Sequence, residues 1–276
     1  MSRRRIISRT WVGVLATAAC IFFTRNHLAA QEREIRVAAA ADLKFAMSEL
    51  VQQFEGQTHD NVSATYGSSG NFFAQIQNGA PFDLFLSADI EYPKKLEAAG
   101  FAESGTLYEY AVGRIVIWAP YQTPTDLKNQ RWNALLSLAV QRIAIANPDH
   151  APYGRAAVAA MQKAGVYEQV KTKLVYGENI SQAAQFVQSG NAQIGIIAKS
   201  LALSPEMKNG EIWEIPTDMY PPIEQGAIVL KSAKNKQGAQ KFLNFMKSES
   251  GRRVLEKYGF ALPSMPKANS AVPPRP

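Results

Sequence analysis

Two hydroxyls stand between two glycines at Gly67-Ser68-Ser69-Gly70, where an apolar, strand-prone run stops and an amphipathic stretch begins. Three chemistries use serines and bare backbone at such a junction: a phosphate-cradling nucleotide loop, a nucleophilic serine, and a non-catalytic pocket for an anion. A nucleotide loop needs Gly-x-x-x-x-Gly-Lys and then Ser or Thr, so that the lysine can neutralise the outer phosphates. The segment "YGSSGNFF" has no lysine. A hydrolase elbow needs Gly-x-Ser-x-Gly on a sharp strand-to-helix turn, whereas these glycines are three residues apart. It also needs a base, and beyond residue 30 the sequence has only His59, in the polar turn "GQTHDN", and His150, in "NPDHAPYG". A lone histidine opening such a loop is more often structural than catalytic.

Metal chemistry has little support. Asp83 and Asp89 flank one short strand-like run without a His, Asp and Glu cluster at ligand spacing, and turn formation explains both. What remains is an anion held without formal charge. A helix N-terminus presents unpaired N–H groups and about half a positive charge, so several termini converging on one point can bind an oxyanion. Serine adds donors, and glycine lets the backbone come close. Four loops are of this kind: Ala41-Asp42, Gly67 to Asn71, Ala151 to Gly154 and Gly177 to Ser181. Each taken singly is also what an ordinary capped helix start looks like.

The elements that would position these loops alternate along the chain. "EIRVAAAA" predicts a strand, and Leu43, Ala46, Met47, Leu50, Val51 and Phe54 follow at helical spacing, with Asp42 where an N-cap belongs. "NVSATY" and "FDLFLSA" predict strands two and three, each followed by a helix, stopped at Gly79 and Gly100. This βαβαβα start predicts a parallel sheet covered by helices. In the second half "YAVGRIVIWAP", "RIAIANP", "KLVYG", "AQIGIIA", "EIWEIP" and "GAIVLKS" predict strands, with "YPPIEQ" separating the last two. "WNALLSL", Arg155 to Ala164, Ile180 to Ser189, Ala239 to Met246 and Gly251 to Tyr258 predict helices. No internal repeat is visible.

The chain of 276 residues opens unlike the rest. Arg3, Arg4, Arg5 and Arg9 precede an apolar run from Trp11 to Phe23 and a small-residue end at Ala30, the layout of a cleaved export signal over residues 1–30. The run is short of the roughly 20 residues that span a bilayer. "SRRRII" loosely matches a twin-arginine signal. Cys20, the sole cysteine, lies inside this segment in a context that fits lipid attachment poorly, so disulfides, zinc thiolates and thiol catalysis are excluded from the remainder. The formal charge of +7 includes five arginines in residues 1–30; without them 25 basic residues face 23 acidic ones, a net of +2. That balance excludes a typical nucleic-acid binder. Residues 263–276, "PSMPKANSAVPPRP", read as a disordered proline-rich tail.

"VAAAADLKFAMSEL", "TYGSSGNFFAQIQNGAPFDLFLSAD", "NPDHAPYGRAAVAAM" and "EKYGF" together resemble, in order and over nearly the whole mature chain, the periplasmic molybdate-binding proteins of ABC importers. The stretch from Gly67 through Asp89 is the most specific. The resemblance implies a two-lobed α/β fold of the type II periplasmic binding protein class, each lobe a mostly parallel sheet flanked by helices. It places a molybdate or tungstate dianion in the cleft. It also implies no catalysis, no cofactor, a periplasmic location, a monomer, and delivery to a permease driven by a cytoplasmic ATPase. Lobe one is expected over 31–109 plus 227–262 and lobe two over 110–226.

By the same resemblance Ser69 is a hydroxyl ligand with Ser68 beside it, and Tyr153 and Ile180 offer backbone N–H groups, so that side-chain identity there matters little. Asp42 and Ala198 stand where the family often has a serine and a tyrosine. Lys199 could replace the missing tyrosine, although a solvated lysine at a helix start is the plainer reading. An ionised Asp42 beside a dianion is repelled, by about 1 kcal/mol per unit charge of the anion at 4 Å in water and more when buried. The expectation is that Asp42 turns back to cap its own helix and offers the ligand only its N–H. The alternative is that Asp42 accepts a proton from hydrogen phosphate or hydrogen arsenate. Two other classes stay open: a periplasmic phosphoesterase using His150 and a cleft serine, and a signalling or adhesion module tethered by residues 11–23.

Overall fold

The apolar run Glu34–Ala40 forms strand β1, and the helical spacing behind it becomes the buried face of helix α1, Lys44–Glu55, through Ala46, Met47, Leu50 and Phe54. Residues 34–263 are described by this computed structural model; the expected export signal with Cys20 and the expected proline-rich tail from residue 264 lie outside them. Strand β2 (Asn61–Gly67), helix α2 (Ser69–Gln77), strand β3 (Leu84–Ser87) and helix α3 (Glu91–Ala98) complete the opening alternation. Gly79 and Gly100, at φ +83° and +77°, end the two helices in the left-handed region that a side chain disfavours.

Strands β4 (Tyr108–Gly113) and β5 (Ile115–Pro120) come next, then the short helix α4 (Leu127–Gln130) and a 3-10 helix at Arg131–Leu136. Strand β6 (Ile143–Ala146), helices α5 (Pro152–Lys163) and α6 (Tyr167–Val170), strand β7 (Leu174–Gly177), helix α7 (Ile180–Gln188) and strand β8 (Ile194–Ala198) repeat the βα rhythm. Helix α8 (Lys199–Ala202), strands β9 (Gly210–Glu214) and β10 (Ile223–Val229), and helices α9 (Lys236–Lys247) and α10 (Glu249–Lys257) finish the chain. No helix among the described residues is long and apolar enough to cross a membrane.

The strands make two five-stranded sheets, in the orders β2-β1-β3-β10-β4 and β7-β6-β8-β5-β9. Each has three parallel strands followed by one antiparallel strand, β10 or β5, that also pairs antiparallel with the edge. The two sheets thus share one layout although the sequence shows no repeat, because layout constrains which positions are buried and not which apolar residue fills them. In β1, Ile35, Val37 and Ala39 pack on one side against α1 and α9, while Ala38 packs on the other with Phe72, Ile76 and Phe85. Burial on both faces is why such strands read as continuous apolar runs.

The chain crosses between sheets twice, and the crossings fall beside the expected positions. "YAVGRIVIWAP" is two strands in two sheets, so Tyr110 to Gly113 belong to the first sheet and not the second. Only Arg114 separates them. Its carbonyl accepts the Lys199 N–H at 2.9 Å and its guanidinium pairs with Glu214 at 2.8 Å, so tertiary contacts redirect the chain. On the return, β10 begins at Ile223 directly after Pro222, taking Ile223 to Gly226 into the first sheet as well.

Asp83 ties the first sheet together. It is fully buried, with Oδ2 accepting the Arg36 N–H at 2.7 Å and Oδ1 accepting the N–H groups of Lys234 and Asn235 at 2.7 and 3.2 Å. Asp83→Ala strands these backbone donors, and unpaired buried groups cost about 1–3 kcal/mol each. Urea unfolding should report a loss of about 3 kcal/mol; a loss under about 1 kcal/mol would mean that water replaces the carboxylate.

Candidate functional site

Asp42 after β1, Ser69 after β2, Ala88 after β3, Tyr153 after β6 and Ile180 after β7 line one small cavity between the sheets, with about 200 Å3 of empty space. All sit just beyond the carboxyl ends of parallel strands, where open α/β sheets bind ligands. A helical turn begins at four of these points. Ser68 caps α2, its Oγ accepting the Asn71 N–H at 3.4 Å, and Asn179 caps α7, accepting the Gln182 N–H at 3.1 Å. Ala151 and Ala40 occupy the cap positions before α5 and before the 3-10 turn Ala41–Leu43, and neither offers a capping side chain. The first-turn N–H groups at Asp42, Ser69, Tyr153 and Ile180 have no acceptor inside their own helices. No lysine or arginine lines the cavity.

Ser69 is fully buried, and its Oγ accepts the Ala88 N–H at 2.9 Å. That bond uses a lone pair and leaves the hydroxyl proton available to donate elsewhere. Ser68 instead faces His150, whose Nδ1 lies 2.9 Å from its Oγ. Gly70 shows why the second glycine is there: its N–H donates to the His150 carbonyl at 3.0 Å, and a Cβ at this position would stand 2.7 Å from that oxygen. Asn71 bonded to Glu178, and Arg155 paired with Asp89 at 2.6 Å, add further bonds between the two halves.

Asp42 does not cap its helix. It falls inside the 3-10 turn rather than before it, with no capping bond, and its side chain turns into the interior. Oδ2 accepts the Tyr153 hydroxyl at 2.8 Å and Gln225 Nε2 at 2.7 Å, while Oδ1 is buried without a partner. Gln225 Nε2 also donates to the Tyr153 hydroxyl oxygen at 2.9 Å. The Tyr153 side chain is thus held in a buried hydrogen-bond network, although its identity was expected to matter little. Gly113 leaves room for it, since a Cβ there would lie 2.2 Å from the Tyr153 hydroxyl. Gln225 was missed in the sequence. The alternation of Ile223, Glu224 and Gln225 along one strand could have flagged it as an inward-facing polar residue.

Ala198 and Lys199, expected after β8 as further contacts, are not among the residues that line the cavity. Ala198 is buried but does not line the cavity, and Lys199 Nζ pairs with Glu214 at 2.6 Å. Ser200 connects this loop to the site, donating to the Asp42 carbonyl at 2.8 Å. A wider cleft of about 820 Å3 adjoins at Ala88 and Pro152, but Asp89, Glu91 and Glu224 line it against Arg155 alone, which disfavours anions there. Among the described residues no three His, Cys, Asp or Glu side chains form a metal cluster.

The model of the bacterial extracellular solute-binding protein family matches residues 35–261. The chain belongs to that family. It is 40% identical over 235 residues to the molybdate-binding protein ModA of Azotobacter vinelandii, spanning 85% of this chain and 92% of the relative. It is also 40% identical over 233 residues to ModA of Rhodobacter capsulatus, spanning 84% and 90%. Among solved structures the Azotobacter vinelandii periplasmic molybdate-binding protein superposes with a TM-score of 0.77 at 32% identity, over 83% of this chain and 99% of that one.

In this solute-binding protein burial dominates the electrostatics of Asp42. Desolvation raises its pKa from 3.8 to about 6, against the bonds from Gln225 and Tyr153 that favour the ionised form. Burial, and then the Asp42 charge, push Tyr153 well above the ordinary tyrosine range, so its hydroxyl stays a donor. An acid whose pKa is higher in the fold than in the unfolded chain stabilises fully below the unfolded value and loses that contribution as pH rises through about 6. Asp42→Asn keeps an acceptor for Tyr153 and Gln225 without the charge. Its urea midpoint should exceed the wild type at pH 8, with the gap closing towards pH 4.5; a constant gap would mean Asp42 does not titrate in this range.

Proposed function

We propose that this solute-binding protein captures a tetrahedral oxyanion, molybdate or tungstate, between two lobes outside the cytoplasm. It then presents the ion to an ABC permease driven by a cytoplasmic ATPase. The observation that carries this reading is the convergence of four helical N-termini and the Ser69 hydroxyl on one cavity without a cation. Ser69 is the side-chain ligand, and the N–H groups of Asp42, Tyr153 and Ile180 are backbone ligands. The names of the relatives support the choice of anion. The sheets suggest lobes of 34–113 plus 223–263 and of 114–222, hinged at the two crossings. Selectivity comes from size: sulfate, with shorter bonds, cannot reach every donor at once.

Binding without catalysis is the reading that the side chains favour. The Ser69 hydroxyl oxygen accepts the Ala88 N–H and no base touches it, while Ser68, the buried serine that does meet His150 Nδ1, uses its oxygen to cap α2 through the Asn71 N–H. One observation favours a second ligand class: the unpartnered Asp42 Oδ1 could accept the proton of hydrogen phosphate. Thermal unfolding separates these readings. Molybdate or tungstate should raise the melting temperature, with sulfate and phosphate inert; stabilisation by phosphate alone would transfer the assignment to the second class. Ser69→Ala should weaken molybdate binding by about 1.5–3 kcal/mol, the value of a hydrogen bond to a charged group. Unchanged affinity in calorimetry would remove Ser69 from the ligand set.

A further inference from the structure

Asp42 poses a problem that the oxyanion reading leaves open. Asp42 lines the cavity of neutral donors and its carboxyl group is buried beside it, so a dianion seated there meets a second negative charge close by. Like charges at such a buried site repel far more strongly than in water, and a dianion doubles the effect of a single charge. The surroundings supply hydrogen-bond donors to the carboxylate but no cation. Tyr153 from α5 and Gln225 from β10 bond to Oδ2, Ser200 from α8 bonds to the carbonyl, and Tyr110 of β4 is the further titratable group that feels the Asp42 charge. No ion pair among the described residues includes Asp42; Lys199 and Arg114 are both spent on Glu214. Meanwhile Asp42 Oδ1 and Gln225 Oε1 are both buried acceptors without donors.

Resting on the oxyanion reading, we infer that capture of the dianion takes up one proton from solvent onto the Asp42 carboxylate, so that the neutral acid, positioned by Tyr153 and Gln225, becomes part of the selective site. One O–H bond forms at Oδ1, the proton comes from the buffer, and nothing is oxidised or reduced. The change removes the like charge and turns an orphaned acceptor into a donor. It also gives the site a chemical preference. A neutral acid donates, so it favours an oxyanion that only accepts, such as molybdate. An ionised Asp42 would instead favour hydrogen phosphate, which brings its own proton. In the unliganded fold burial has already raised the carboxyl pKa to about 6, and the dianion must raise it further, above the pH of the titration.

The test is calorimetric titration of the mature protein with sodium molybdate at pH 7.5, in buffers of different protonation enthalpy. Uptake of about one proton per anion is expected, falling towards zero at pH 5, where Asp42 is already protonated. Between about pH 6 and 8 the affinity should fall about tenfold for each pH unit. Asp42→Asn should bind with no proton uptake and with a flat pH profile; uptake that persists in this variant places the proton elsewhere and overturns the proposal. Should the variant not fold, the wild-type proton count decides alone. Molybdate binding with no uptake at pH 7.5 overturns the proposal and leaves the oxyanion reading standing. No binding of molybdate, tungstate, sulfate or phosphate at any pH removes that reading and the proposal with it.

Discussion

An unpaired N–H at the first turn of a helix is a weak positive end, and this cavity has nothing stronger. A cation-free site can hold an anion only if several such ends reach it together. That requirement explains the rest of the architecture. Parallel strands deliver helix starts to one edge of a sheet, and two sheets facing each other across a cleft bring together the starts after β1, β2, β6 and β7. Neither half alone supplies donors on more than one side.

Holding the halves together falls to a few buried contacts. Tyr153 from the second sheet's α5 reaches Asp42 and Gln225 in the first half, and Gly113 keeps its place clear. The Gly70 N–H meets the His150 carbonyl where any side chain would collide. These bonds link the contact between the halves to the cavity: the helix start at Tyr153 lines it, and the same residue carries the hydroxyl that bonds to Asp42. Ala40, Ala41 and Ala88 from the first half pack within the apolar core of the second, so the contact between the halves also buries apolar surface.

Much of this was legible in the chain. Period-3.6 spacing in α1, apolar runs at β1, β3 and β8, and glycine stops at Gly79 and Gly100 carry local physics that tertiary context did not overturn. The four loops that line the cavity could be read because strand-to-helix junctions announce themselves. What could not be read were choices made by distant partners. Asp42 has the composition of an N-cap, but a 3-10 turn and the donors Tyr153 and Gln225, 111 and 183 residues away, give it an interior role instead. Arg114 redirects one strand-like run into two sheets through Glu214, a hundred residues distant. Lys199 looked like a spare cation, yet Glu214 holds it too.

The central claim is that neutral N–H and hydroxyl donors from both halves hold the anion. A crystal of the protein grown with tungstate tests it most directly, because tungsten scatters anomalously and marks its own position. The account predicts one strong peak among the backbone of Asp42, Tyr153 and Ile180 and the Ser69 hydroxyl, with no lysine or arginine side chain in contact. A peak beside Lys199, in the wider cleft by Arg155, or on the outer surface would contradict it.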